Sequence, residues 1–341
     1  MQLPDLNTTW FILVGVLFTG YAILDGFDLG VGILHLFVKK DEDRRILLNS
    51  IGPVWDGNEV WLVTGGGALF AAFPGAYATV FSGFYNAFML LLVALIFRAV
   101  AIEFRSKEPG RTWRQAWDTA FSIGSFLAAL LIGVAMGNIT RGIPLDSDGN
   151  YAGTFFDLLN PYSLLLGVTV VALFAMHGAI YLVLKTEGEL QEKIRGWVPV
   201  LIGAFLIFFI LFNVATLFQC PNLLDALRSR PYGFAVLALD IIIALSIPRI
   251  IQSGAEFGAF LASSLTMVLL MAVLGISYFP YLVISHPDLT NSLTIYNCAS
   301  SQKTLANMLV IAVIGIPIVL AYTVSIYWIF RGKTKIGHVG Y

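Results

Sequence analysis

The chain is poor in the residues from which soluble enzymes build their sites. Only 12% of its 341 residues are charged, histidine occurs four times and cysteine twice. His286 and His338 fall outside the hydrophobic runs, His35 sits at the end of one, and only His177, in FAMHGAIYL, lies deep inside one. A haem with two axial ligands would need a thioether such as Met136 or Met176 beside His177. A lone histidine on an apolar helix is more often a hydrogen-bonded packing residue, so no metal is expected on this chain. A basic surplus is also lacking: 20 Lys and Arg stand against 21 Asp and Glu, a net charge of -1. Without a basic surplus to neutralise phosphates, the balance argues against a nucleic-acid partner. The first apolar run lacks a basic leader, is too long for a signal core and contains Asp25 and Asp28, so it is expected to stay in the protein. Linkers, low-complexity tracts and internal repeats are missing, and residues 1–341 read as a single transmembrane helical domain.

What fills the chain instead is apolar surface, 58% hydrophobic residues with a mean hydropathy of +0.82. This composition makes an all-α, polytopic membrane protein. A spanning helix takes about 20 apolar residues, which places nine helices near 10–37, 53–72, 78–104, 117–138, 161–184, 198–218, 231–250, 257–283 and 304–330. Pro74 closes the second, Pro161 and Pro231 open the fifth and seventh, and Pro248 lies near the end of the seventh.

Lys and Arg fix the expected orientation. The ends of the odd-numbered helices carry Lys39, Lys40, Arg44 and Arg45, then Arg105, Lys107, Arg111 and Arg114, then Lys185, Lys193 and Arg195, then Arg249, then Arg331, Lys333 and Lys335. The opposite side has Arg141, Arg228, Arg230 and Lys303. The positive-inside rule then puts the N-terminus outside and the C-terminus in the cytoplasm. Cys220 and Cys298 both fall in outer loops, where an oxidising compartment permits a disulfide; two separate buried thiols are the alternative.

Acids inside the hydrophobic runs carry the functional signal. Asp25 and Asp28 lie in ILDGFDLGVG, and Asp56 and Glu59 in GPVWDGNEVWL. A charge near the bilayer centre costs about 2.5 kcal/mol or more, so such residues usually line ion or proton paths. At about 1.5 Å per residue, Asp28 lies about 16 Å from Lys39 and Asp56 a similar distance from Arg45. Each pair is spaced i, i+3 and shares a helix face, so two antiparallel helices can offer four carboxylates to one seam. The structural alternative is that the acids cap kinked helices or bond Trp55, Asn58 and Thr64. Gly26, Gly30, Gly32 and Gly65 to Gly67 add close helix packing. Arg98, the deepest cation, either pairs with a buried acid or approaches a partner's cofactor, and Glu103 and Asp118 are expected to snorkel or pair.

With those residues in view, the chain resembles subunit II of cytochrome bd-type quinol oxidases along nearly its whole length. The resemblance rests on LDGFDLGVG (24–32), NSIGPVWDGNEVWLVTGGGALFAAFP (49–74), FSGFY (81–85), FRAVAIEFRSK (97–107), NPYSLLLGV (160–168) and SLTIYNCASSQKTL (292–305). WDGNEVWL is the most specific of these; Cys298 departs from the small or acidic residue expected in the last.

The resemblance implies a respiratory quinol:dioxygen oxidoreductase subunit that is not catalytic alone and binds no haem. Its partner would be the haem-bearing subunit I, with two b-type haems and one d-type haem. The complex oxidises quinol, reduces dioxygen to water with cytoplasmic protons and is electrogenic without pumping, in a bacterial or archaeal cytoplasmic membrane. A bound quinone and a small accessory subunit are left open, as is ubiquinol against menaquinol. Asp25, Asp28 and Asp56 match acids that feed protons toward the haems, with Glu59 as a weaker member. Trp61 is a candidate border of a dioxygen route, with aromatic packing as the plainer role. Two other readings are a proton-coupled secondary transporter, for which the paired broken helices are missing, and a scaffold that only stabilises a catalytic partner.

Overall fold

A computed structural model describes residues 5–335; His338 lies outside the described residues. Twelve helices account for most of the chain: α1 (Leu6–His35), α2 (Asp41–Ile51), α3 (Trp55–Ala72), α4 (Pro74–Gly83), α5 (Tyr85–Phe104), α6 (Arg111–Arg141), α7 (Pro161–Lys185), α8 (Gly188–Gln219), α9 (Pro221–Ser229), α10 (Tyr232–Gln252), α11 (Glu256–Tyr278) and α12 (Gln302–Ile329). A small antiparallel hairpin, β1 (Tyr281–Val283) with β2 (Leu293–Thr294), fills the loop before α12. The starts of three helices are capped by side chains that accept backbone N–H groups: Asp5 from Thr8, Asn160 from Ser163 ahead of Pro161, and Ser301 from Thr304.

Among the described residues, eight helices (α1, α5, α6, α7, α8, α10, α11 and α12) are long and apolar enough to cross a membrane. The ninth expected span, 53–72, is α3, whose 18 residues include Asp56 and Glu59. It is polar for a span and about 27 Å long. Its course is fixed by contacts: Asn58 reaches Leu24, Trp61 covers Gly20, Phe18 meets Gly65, and Ser300 binds the carbonyls of Ala71 and Ala72. So α3 runs antiparallel along the length of α1.

Several boundaries differ from those expected, among them the fourth and sixth helices, expected from 117 and 198, which start at Arg111 and Gly188. The helix expected over 78–104 is broken at Phe84 into α4 and α5, where Gly83 sits against Tyr151 too closely to admit a side chain. The helix expected to reach 283 ends at Tyr278, because Pro280 offers no amide hydrogen and disfavours helical backbone before it.

The buried core centres on α7, which packs against α1, α6, α8 and α11. Gly30 of α1 and Gly178 of α7 set the tightest crossing. A Cβ on Gly30 would lie 1.9 Å from the Phe174 carbonyl oxygen, and one on Gly178 would lie 2.5 Å from the Gly30 carbonyl carbon. Backbone cannot rotate aside as a side chain can. Gly30→Ala or Gly178→Ala should therefore cost more than the about 1–3 kcal/mol of ordinary overpacking, read as lost assembled protein on gel filtration; normal yield and melting would contradict the close crossing.

The two ends of the bundle are distinct. One gathers Asp5 with Tyr296, Trp10 with the Leu305 carbonyl, and the loop pairing of Ile143 with Ser285. The other gathers His35 with Asp118, Lys40 with Glu189, and Lys185 with the Phe330 carbonyl. The first and last described residues thus lie at opposite ends. Between them α12 buries only Leu305, and Ile311, Val313 and Ile318 stand about two-thirds exposed on an apolar face.

The disulfide offered as one alternative for Cys220 and Cys298 is not formed, and both are free, buried thiols. Cys220 packs with Tyr162, Leu223 and Tyr278, whereas Cys298 belongs to a different cluster with Trp10 and Phe73 and donates to the Thr294 carbonyl at 3.0 Å. Each sulfur is held by its own apolar neighbours. Burial pushes the Cys298 thiol up to about 11 and raises Cys220 as well. Since the unfolded state loses the proton first, this thiol's contribution to stability is present below pH 9 and is lost as pH rises toward 11. Alkylation at pH 8 should be slow on the native protein and should find two thiols once it is unfolded without reductant; none would restore the bridge.

Candidate functional site

The expected four-acid seam forms with three of its members. Asp25 and Asp28, one turn apart on α1, and Glu59 on α3 converge on Arg98 of α5. Arg98 is fully buried: its Nη2 lies 2.6 Å from Asp25 Oδ1 and 3.9 Å from Asp28 Oδ2, and its Nη1 lies 3.5 Å from Glu59 Oε2. Asp25 and Asp28 are equally buried, whereas the Glu59 side chain is 23% exposed. Of the two readings of Arg98, the structure shows the ion pair within the chain.

Asn58 organises the far side of the cluster. Its Nδ2 donates to Asp28 Oδ2 at 2.8 Å and to the Leu24 carbonyl at 3.2 Å, and its Oδ1 accepts from the Tyr327 hydroxyl at 2.8 Å. That hydroxyl ties the otherwise loosely packed α12 to the acids. Several buried polar atoms of the cluster have no partner in the chain: Asp25 Oδ2, Asp28 Oδ1 and Arg98 Nε. Three carboxylates around one guanidinium leave a surplus of two acids.

Asp56 stands apart. It occupies the first turn of α3 on an exposed face, one turn before Glu59 and outside the buried group. The i, i+3 spacing puts it on the approach to Glu59 while the helix start leaves it at the surface. Trp61 is half-buried against α1, so close that a Cβ on Gly20 would meet its ring at 2.3 Å. His177 has both ring nitrogens engaged, Nδ1 with Ser263 Oγ at 2.8 Å and Nε2 with the Ile23 carbonyl at 3.0 Å, and its ring stacks on Phe260. Among the described residues no group of three or more His, Cys, Asp or Glu is placed to hold a metal ion.

A second ionic network closes the end of the bundle below the cluster. Asp118 of α6 meets His35 Nε2 at 2.6 Å, Arg105 Nε at 2.5 Å and Arg44 Nη1 at 2.9 Å, and Arg105 continues to Asp41 at 2.6 Å. Arg105 is only 2% exposed. The sequence reading paired Asp118 in general terms but missed these partners, which lie 13 to 83 residues away. Tyr327, 269 residues from Asn58, left no local signal either. Tyr21, one turn before Asp25 on the same face, did leave one.

Comparison with known proteins places this geometry in context. Residues 6–330 match the family described as cytochrome bd terminal oxidase subunit II. The chain belongs to that family. Cytochrome bd-I ubiquinol oxidase subunit 2 of Escherichia coli (strain K12) is 39% identical over 96% of this chain and 95% of its own length. Cytochrome bd ubiquinol oxidase subunit 2 of Bacillus subtilis (strain 168) is 36% identical over 98% of each. The structure of bd oxidase from Geobacillus thermodenitrificans aligns with a TM-score of 0.79 over 95% of this chain and 98% of that chain, at 18% identity, a likeness of fold. This bd oxidase subunit II is therefore a multi-pass membrane component of a respiratory oxidase complex that includes a subunit I.

Proposed function

We propose that this subunit II both stabilises the haem-bearing subunit I and supplies a proton route from the cytoplasm to the site where dioxygen is reduced to water. The observation that carries the reading is the buried set Asp25, Asp28 and Glu59 around one Arg98, reached from the surface through Asp56. Carboxylates kept in a membrane interior at such cost are retained where protons or ions move. The surplus of acids over base lets the set bind and release a proton while Arg98 keeps its charge. The basic end of the bundle, with Arg44, Arg105 and Arg114, is assigned to the cytoplasm by the positive-inside rule, which sets the N-terminus outside.

In this reading the chain works as one membrane-embedded unit of a bacterial inner membrane and holds no haem itself. Quinol and dioxygen are substrates of the complex, and the two b-type haems and one d-type haem reside in the partner. The engaged nitrogens of His177 support that division. Trp61, half-buried on α3, is the candidate border of the partner or of a dioxygen route, whereas Arg98 is held inside the chain by its ion pairs. Family membership favours the oxidase over a proton-coupled transporter.

Purifying this chain with its partners and recording reduced-minus-oxidised spectra tests the division of labour. Haem b and d bands are expected in the complex and none in the isolated chain. Haem bands in the isolated chain would sink the reading.

A further inference from the structure

A cleft of about 510 Å³ opens where the loop after α1, the first turn of α2 and the start of α6 meet. It is lined by Lys39, Arg44, Arg111 and Arg114 together with Asp41 and Asp118. Both acids are already committed: Asp118 to His35, Arg44 and Arg105, and Asp41 to Arg105 at 2.6 Å and Arg114 at 3.0 Å. Arg114 Nε is buried and has no partner in the chain. Lys39 and Arg111 are exposed, and neither makes an ion pair or hydrogen bond among the described residues. Five cations, counting Arg105 behind the wall, therefore face two spoken-for carboxylates. The cleft is built for an anion.

Its surroundings name the source of that anion. Trp113, Trp117 and Phe104 form an aromatic group beside it, with ring centroids 5.5 and 5.9 Å apart, and Trp113 Nε1 donates to the Phe104 carbonyl at 2.9 Å. Tryptophans of this kind mark the headgroup level of a bilayer. Toward the membrane interior, Phe97 and Phe104 of α5 and Ile123 and Phe126 of α6 are exposed and apolar, a surface suited to acyl chains. Guanidinium groups grip phosphate oxygens through paired N–H bonds, and basic pockets between helices on the cytoplasmic side take acidic headgroups.

We propose that this cleft is a binding site for the phosphate of an anionic phospholipid, with Lys39, Arg111 and Arg114 as its unspent donors. The lipid would hold the α1–α2 loop against α6, at the foot of the ionic network around Asp118. This site is separate from the proton route and does not depend on it.

Native mass spectrometry of the delipidated, assembled complex, supplied with phosphatidylglycerol or phosphatidylethanolamine, reads the proposal. Each basic side chain near such a headgroup is worth about fivefold in affinity, so Lys39→Gln with Arg111→Gln should reduce retained phosphatidylglycerol about twenty-five-fold. The wild type should prefer phosphatidylglycerol to phosphatidylethanolamine, and millimolar inorganic phosphate should not displace it. Arg228→Gln with Lys303→Gln, at the other end of the bundle, should leave retention unchanged. Should the double variant fail to assemble, either single substitution, each expected to lose about fivefold, replaces it. Equal retention of the two lipids, full retention by the Lys39 and Arg111 variants, equal loss in the Arg228 and Lys303 control, or displacement by inorganic phosphate would each overturn the proposal.

Discussion

Arg98→Leu is expected to abolish the assembled complex. The substitution leaves Asp25 and Asp28, both fully buried, without the one cation that faces them. Breaking a buried pair by removing one partner costs about 3–5 kcal/mol, a large share of the about 5–15 kcal/mol that holds a folded domain together. Arg98→Lys should recover only part of the loss, since an ammonium on a flexible stem cannot span Asp25, Asp28 and Glu59 as a planar fork does. Combining Arg98→Leu with Asp25→Asn should be milder than Arg98→Leu alone, because the double change removes charge on both sides. Yield and detergent-solubilised melting of the four proteins measure this, and an Arg98→Leu protein as stable as wild type would remove the ion pair from any central place.

Neutralising single acids should act on turnover instead. Asp25→Asn leaves Arg98 facing Asp28 and Glu59, and Asp28→Asn leaves it facing Asp25 and Glu59, so the buried cation stays compensated and the complex assembles. Asparagine keeps the shape and the acceptor oxygen but has no titrating proton. We expect each variant to retain the partner's haem spectrum while quinol-driven oxygen consumption falls about a hundredfold, the lower end of what a positioned proton-transfer group contributes. The loss should appear in kcat with KM for quinol unchanged, because nothing in this chain is assigned to quinol binding. Variants that fail to assemble, or assemble and turn over normally, would leave the acids a structural role.

Much of this site was legible because membrane burial makes charge conspicuous. Asp25, Asp28, Glu59 and Arg98 stand out in apolar runs, and the i, i+3 spacing correctly places Asp25 and Asp28 on one face. Asp56 shows the limit of that argument. The i, i+3 spacing puts Asp56 and Glu59 on one face but does not say which turn is covered, and α3 leaves Asp56 on an exposed first turn while Glu59 turns inward. The break at Phe84 was illegible for a related reason. Gly83 there accommodates Tyr151, in a loop that no local pattern connects to it. Partners brought together only by tertiary packing, such as Tyr327 with Asn58 and Arg105 with Asp118 and Asp41, leave no trace in spacing. For the cysteines the sequence left a bridge and two separate thiols open, because lying in outer loops says nothing of which apolar cluster each sulfur joins.

Proton uptake during a single oxygen turnover of the assembled Asp56→Asn complex tests the central claim most directly. Asp56 is the exposed member of the route, so its loss touches no buried pair and leaves Arg98, Asp25 and Asp28 as they are. The account predicts normal haem content and normal electron arrival at the partner's haems, followed by proton uptake from the cytoplasmic side slowed at least about tenfold. Uptake at the wild-type rate in that complex would contradict it and assign the proton route to subunit I.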